Sequence, residues 1–350
     1  MRLFRIQPKD FIMKAITTRG ASDIDAPNVF EDTDMPLASP GRLDLQVRID
    51  AVAVNPVDTK IRAGALGNIS EPTILGWDAV GRVEAVGDAV THFQPGDRVY
   101  YAGEVDRPGC NAEQQIVDSR LVAHAPKTLN DEQAAAMPLT ALTAWEGLFD
   151  KLGLAQDDTA HSEQTLLVIN GAGGVGSSVI QLARQLTGLT IIATASRDET
   201  ADWCRTLGAH AVINHHDLIP ELRAAGHETV DYIFNCHDIG VHWDNMVELI
   251  RPLGRIVAIA ETEQTVDINA LQPKAATFCW EFMFARPMHG HHPERHGEIL
   301  VELATLLDEG RIHTTLGNVI GPLNVDNLTE AHRQLESDRT RGKLVLTALA

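Results

Sequence analysis

Leu166-Leu167-Val168-Ile169-Asn170-Gly171-Ala172-Gly173-Gly174-Val175-Gly176 decides the fold of this 350-residue chain. An apolar strand breaks into a glycine-rich turn. The residues that follow, Ser177 to Gln185, place Val179, Ile180, Leu182 and Ala183 on one face, with Leu186 beyond them, as a half-buried helix requires. Gly171-x-Gly173-x-x-Gly176 is thus a dinucleotide fingerprint in its strand–turn–helix setting. One glycine permits the tight turn, one lets backbone approach a pyrophosphate, and one lets helix and strand pack closely. The helix N-terminus offers free N–H groups and a partial positive charge. The blander reading is a tight structural turn without a ligand.

Composition narrows the field. A 44% hydrophobic, 22% charged chain of this length fits a globular protein of roughly two domains. No apolar run is long enough to span a bilayer, and the start Met1-Arg2-Leu3-Phe4-Arg5-Ile6 carries no signal-peptide pattern. Met13-Lys14-Ala15-Ile16 reads as an alternative start, which makes residues 1–12 a ragged extension. Cys110, Cys204, Cys236 and Cys279 are scattered without a CxxC pair, so neither a disulfide framework nor a cysteine zinc site is signalled, and a reducing cytoplasm is expected. A net charge of −19 argues against nucleic acid as a partner.

The first third reads as short strands: Arg42–Val54, Ala79–Gly87, and Phe93–Tyr100 set off by Pro95-Gly96-Asp97. From about residue 135, strands alternate with helices. Leu189–Ala195, Ala211–Ile213, Val230–Phe234 and Arg255–Ala260 read as apolar strands. Helices are expected over Ala201–Leu207, ending at Gly208, around Val247–Ile250, stopping near Pro252, and from Glu294 to Leu307. This pattern predicts a parallel sheet covered on both faces. Lys343-Leu344-Val345-Leu346 is a final strand that could rejoin the first unit.

Several motifs match one family: Gly76-x-Asp78-x-x-Gly81-x-Val83 with Val86-Gly87, Pro95-Gly96-Asp97-Arg98-Val99, Pro138-Leu139-Thr140-Ala141, the fingerprint, Leu207-Gly208-Ala209, and Gly342-Lys343-Leu344-Val345-Leu346. Through them the chain resembles the medium-chain dehydrogenase/reductase superfamily, in its quinone oxidoreductase-like branch with the zinc-type alcohol dehydrogenase-like members. The resemblance implies an α/β fold in which a Rossmann doubly wound parallel sheet (135–307) is inserted in a GroES-like β-barrel domain (1–134 plus 308–350). It implies a homodimer. It also implies that Thr140, Asn235, Ala260 and Phe284 border a nicotinamide, that Gly171, Ala172, Gly173, Gly174, Val175, Gly176 and Lys343 belong to the cofactor site, and that Asn55, Asp58, Lys60 and Arg62 lie in a loop beneath it.

The chain departs from the zinc-dependent relatives. They carry cysteine where Asn55 stands and Gly-His-Glu where Gly76-Trp77-Asp78 stands; no cysteine occurs between Cys110 and Cys204, and the structural four-cysteine lobe is reduced to Cys110. Zinc takes Cys, His or carboxylate ligands, so no metal is expected. Twenty residues past the fingerprint, Ser196-Arg197 replaces the acidic residue of NAD sites, which favours NADP(H); Asp198 and Glu199 are the argument for NAD, and a solvated loop charge is the plain reading of Arg197. His215 falls where the family often stacks an aromatic near the 2′-phosphate. Lys60, where relatives commonly carry tyrosine, either polarises a carbonyl or neutralises Asp58. Trp77 replaces a ligand position and is a candidate pocket floor. His289-Gly290-His291-His292 reads as an exposed loop rather than a metal site. The expectation is a zinc-independent, NADPH-dependent reductase of a small-molecule quinone or enone. Its rivals are a non-catalytic NADPH-binding protein and a zinc enzyme using Asp78 with a nearby histidine.

Overall fold

The computed structural model describes residues 11–21, 23–65, 67 and 69–350. The suggested N-terminal extension falls mostly outside them, although Phe11 and Ile12 already belong to the strand Phe11–Thr18. That strand pairs with Glu31–Leu37 and Thr73–Ile74 in a small sheet absent from the sequence reading.

Thr165–Ile169 is buried at every position, as its unbroken apolar run demands. Leu166 and Val168 enter one core cluster and Leu167 and Ile169 another, so both faces of the sheet are covered. Burying such a side chain contributes about 1.5–3 kcal/mol. The six strands order as Ala211–Ile213, Thr190–Thr194, Thr165–Ile169, Val230–Asn235, Ile250–Ala258 and Thr277–Trp280, all parallel. In chain order this is 3-2-1-4-5-6, the doubly wound arrangement whose ligand crevice opens at the carboxyl ends beside the first strand. The helix expected to stop near Pro252 ends instead at Leu249, and Pro252 lies inside the fifth strand. There the register shifts around a left-handed Leu253 (φ +62°), which lets the strand absorb residues that fit no regular ladder.

The second large sheet runs Leu316–Leu323, Lys343–Leu349, Asp44–Val54, Ala79–Val86, Arg98–Tyr101 and Val122–His124, with Gln114–Asp118 also on Asp44–Val54. Pro95-Gly96-Asp97 form the expected turn, closed by Asp97 N–H on Gln94 O (3.1 Å), and the strand begins only at Arg98. The C-terminal strand rejoins this unit antiparallel to Asp44–Val54, with Leu344 opposite Val54. Helix Glu294–Asp308 packs across the two units, and Tyr100 Oη donates to Leu300 O at 2.5 Å.

Helix Val325–Glu336 buries His332 edge-on against Phe30, with neither ring nitrogen partnered. Burial, and then Arg62, holds its pKa down to about 3. An unfolded histidine titrates near pH 6.5, so the unfolded chain takes the proton first. This part of the stability is therefore full above about pH 6.5 and declines as pH falls toward 3. Thermal unfolding should show a shallower loss of melting temperature between pH 7 and 5 for His332→Leu than for wild type; identical slopes would contradict the assignment.

Candidate functional site

At the end of Thr165–Ile169 the chain reverses through Asn170, held left-handed (φ +62°) with its N–H on Thr194 Oγ1 at 3.0 Å. Helix Gly174–Leu186 then starts with Gly173 as its N-cap and no side-chain cap, so its first N–H groups are free to meet an anion. A Cβ on Gly176 would stand 2.3 Å from Asn170 O, and one on Gly174 would press on Thr140 Cγ2 (2.9 Å) and Lys343 Cδ (3.0 Å). The cradle tolerates only glycine, and it fits a dinucleotide pyrophosphate.

The turn opens into a cavity of about 870 Å³. The candidate cofactor and catalytic residues line it, except Gly171, Asp58, Asn235 and Arg62. Gly171 lies behind the turn, where a Cβ would meet Ala193 Cβ at 2.8 Å. Asn235 is buried and its side chain closes a turn on His237 O (2.7 Å), so it shapes the wall without facing the cavity. Arg62 is wholly buried and paired with Glu336. The expected loop is in fact helix Pro56–Arg62, which directs Lys60 to the cavity and Asp58 and Arg62 inward. Trp77 is also buried outside the cavity: its indole donates to Glu104 O (2.8 Å), and it stacks edge-on behind Phe284.

A buried ion pair sits beneath this wall. Gly342 N–H donates to Ala172 O (2.9 Å), placing Lys343 against the fingerprint. Its side chain runs past Gly174, and its ammonium donates to Val54 O (2.8 Å) and Asn55 Oδ1 and pairs with Asp78 Oδ2 at 3.0 Å. Asn55 Nδ2 donates to the same Asp78 oxygen at 2.9 Å, and Leu139 N–H donates to the other at 2.8 Å. Asp58 Oδ2 accepts from Asn55 N–H at 2.6 Å, while Oδ1 has no partner. Burial, with Asp78 adding, pushes the Asp58 carboxyl up to about 7 against the pull of Asn55 N–H and Lys343. Below that pH Asp58 holds a proton, leaving one ammonium facing one carboxylate.

These residues do not fit zinc. Asn55 and Trp77, which the resemblance sets at ligand positions of the zinc-dependent relatives, offer an amide and an indole, and Asp78 is held by an ammonium and two N–H donors. Among the described residues no group of three or more His, Cys, Asp or Glu side chains is placed to hold a metal ion.

At the other end, Ser196 and Arg197 follow strand Thr190–Thr194, and Arg197 Nη2 donates to Arg339 O at 2.9 Å. Arg197 also lines an adjoining recess with Arg339 and Arg341. Arg341 pairs with Glu199 (2.9 Å) and lies 4.8 Å over the Trp203 ring. Sequence reasoning missed both arginines, because they come from the loop before the last strand. His215 lines the cavity as expected, and sequence reasoning missed the histidines beside it: His216, His237 and His242 complete one wall. Burial, then His237 and His215, presses His242 down to about 4.

Lys60 Nζ pairs with Glu261 Oε2 at 2.8 Å rather than with Asp58; the ammonium that offsets Asp58 and Asp78 is Lys343.

The profile of the alcohol dehydrogenase GroES-like domain matches residues 41–129, and that of the zinc-binding dehydrogenase family matches 207–346. A Staphylococcus epidermidis protein named zinc-type alcohol dehydrogenase-like protein is 42% identical, over 95% of this chain and 99% of its own. The chloroplastic NADPH-dependent alkenal/one oxidoreductase of Arabidopsis thaliana is 30% identical over 86% of this chain and 71% of its own. Among solved structures, a Rhizobium etli protein whose description is "putative zinc-dependent alcohol dehydrogenase protein" superposes with TM-score 0.90 at 40% identity, covering 97% and 99% of the two chains. Escherichia coli quinone oxidoreductase complexed with NADPH superposes at 0.79 with 26% identity, covering 95% and 99%. The chain belongs to the medium-chain dehydrogenase/reductase superfamily and is an oxidoreductase of that fold.

Lys343→Met strands Asp78 in the interior and should cost about 3–5 kcal/mol of stability. Lys343→Met/Asp78→Asn should recover much of that loss in urea unfolding. A double variant as unstable as the sum of its parts would show that the pair is not coupled.

Proposed function

We propose that this oxidoreductase is a zinc-independent, NADPH-dependent reductase of quinones or α,β-unsaturated carbonyls. The carrying observation is the Lys343–Asn55–Asp78 cluster: Asn55 and Asp78, which the resemblance sets at ligand positions of the zinc-dependent relatives, are both engaged by an ammonium ion. NADPH, when bound, supplies the hydride, so that acceptor, NADPH and one proton give reduced acceptor and NADP⁺. Without a Lewis acid, an electron-poor acceptor needs the least help from the protein.

The chain's residues divide the remaining work. The free N–H groups at the start of helix Gly174–Leu186 hold the pyrophosphate, and Thr140, Ala260 and Phe284 bound the nicotinamide. Ser196 and Arg197, with Arg339 and Arg341 beside them, take the 2′-phosphate; His215 stands on the same wall. Lys60 is the available donor at the reacting end: among the described residues its ammonium has one hydrogen bond, to Glu261, whereas the Asn55 amide is consumed by Ala53 O, Trp77 O and Asp78. Lys60 therefore donates to the acceptor oxygen as negative charge develops, and Asn55 and Asp58 act as positioning residues. The names of the Arabidopsis and Escherichia coli relatives support this acceptor class and cofactor.

The domain boundaries 1–134 plus 308–350 and 135–307 complete the reading, as does a homodimer joined at the Thr277–Trp280 edge, where Trp280 and Phe282 are exposed. Four free cysteines suit a cytoplasmic location, and no described helix is long and apolar enough to cross a membrane.

Steady-state NADPH oxidation with 1,4-naphthoquinone and trans-2-hexenal tests the proposal. Turnover should survive dialysis against EDTA, and Arg197→Ala should raise KM for NADPH about tenfold or more while leaving NADH kinetics in place. Tight NADPH binding without turnover of either acceptor would instead identify a binding protein.

A further inference from the structure

Lys60 and Glu261 come from different units, Lys60 from helix Pro56–Arg62 and Glu261 from just beyond strand Ile250–Ala258. Both line the cavity beside Ala260 and Phe284. Other charged side chains on the cavity wall are unavailable to an acceptor at this end. Lys343 is saturated by Asp78, Asn55 and Val54, and the Glu281 carboxyl is buried out of reach. Arg197 belongs to the adenosine end. The remaining surface here carries no charge: Val57, Ile61, Leu139, Phe282 and Met283 are apolar, and Thr140 and Thr143 are neutral. Lys60 is thus the accessible cation at the reacting end, and Glu261 cancels it at 2.8 Å.

We infer that Glu261 determines acceptor specificity: by masking Lys60 it makes the mouth of the cleft electroneutral and turns the enzyme toward uncharged, apolar acceptors, against anionic ones. The inference rests on the reductase reading and names the substrate class within it. The pair is partly solvated, at 39% and 66% side-chain exposure, so it can open for an incoming oxygen. A neutral acceptor replaces one hydrogen bond of Lys60 without leaving net charge behind. An anionic acceptor must meet Glu261 within the same apolar frame, where like charges repel.

The test compares 1,4-naphthoquinone with its 2-sulfonate in wild type, Glu261→Gln and Lys60→Gln/Glu261→Gln. Wild type should prefer the neutral quinone in kcat/KM. Glu261→Gln should shift the anionic-to-neutral ratio about threefold to fivefold toward the sulfonate, the scale of one partly exposed charge pair. The shift should fade at 0.5 M NaCl and vanish in the double variant. In parallel, naphthalene-2-sulfonate, which cannot be reduced, is titrated into the NADPH complexes by fluorescence. Glu261→Gln should bind it at least threefold more tightly than wild type. An unchanged kinetic ratio with unchanged sulfonate affinity overturns the role of Glu261. If neither quinone is turned over, the reductase reading fails by itself, and the sulfonate titration still decides whether Glu261 masks Lys60.

Discussion

One ammonium ion ties the molecule together. Lys343 leaves the last strand, passes under the fingerprint turn and ends between Asn55, Val54 and Asp78, so three separate stretches of chain meet at a single buried charge. A lone charge in such surroundings is prohibitive, and only a matched carboxylate with its own N–H donors makes the arrangement tenable. Asp78 supplies that match, and Leu139 N–H and the Asn55 amide each donate to it as well. The pyrophosphate cradle and the wall beneath the reacting end are therefore mechanically joined.

This joint explains the shape of the cleft. Gly342 N–H on Ala172 O and the bridge between Gly173 and Gly342 pin the C-terminal strand against the Rossmann turn. The same strand pairs with Asp44–Val54 on its other side. The cavity between the two units is consequently bounded by strand ends and helix starts, and its charged groups are few and spoken for. On the proposed reading, chemistry there comes from orientation and one reachable ammonium, that of Lys60.

What the sequence discloses and what it conceals follow physical lines. Leu166–Gly176 is legible because a fully buried strand needs an unbroken apolar run and a phosphate turn needs glycine. Ala211–Ile213 and Glu294–Asp308 are legible for similar local reasons. Thr277–Trp280 was not, since a four-residue edge strand with half-covered side chains has no run to notice. Arg62 looks like a cleft cation, yet the helix turns it inward onto Glu336, 274 residues away. The Lys60–Glu261 contact spans 201 residues and Arg197–Arg339 spans 142; no periodicity records such meetings. Asn55 and Trp77 are poor zinc ligands by residue type alone, but only the folded chain reveals the ammonium of Lys343 held between Asn55 and Asp78.

X-ray anomalous scattering at the zinc edge, on crystals grown from protein expressed and held in zinc, tests that substitution most directly. The account predicts no anomalous peak within bonding distance of Asn55 or Asp78, and density for the Lys343 side chain running unbroken to both. A strong peak on Asp78 with Lys343 turned aside would contradict it.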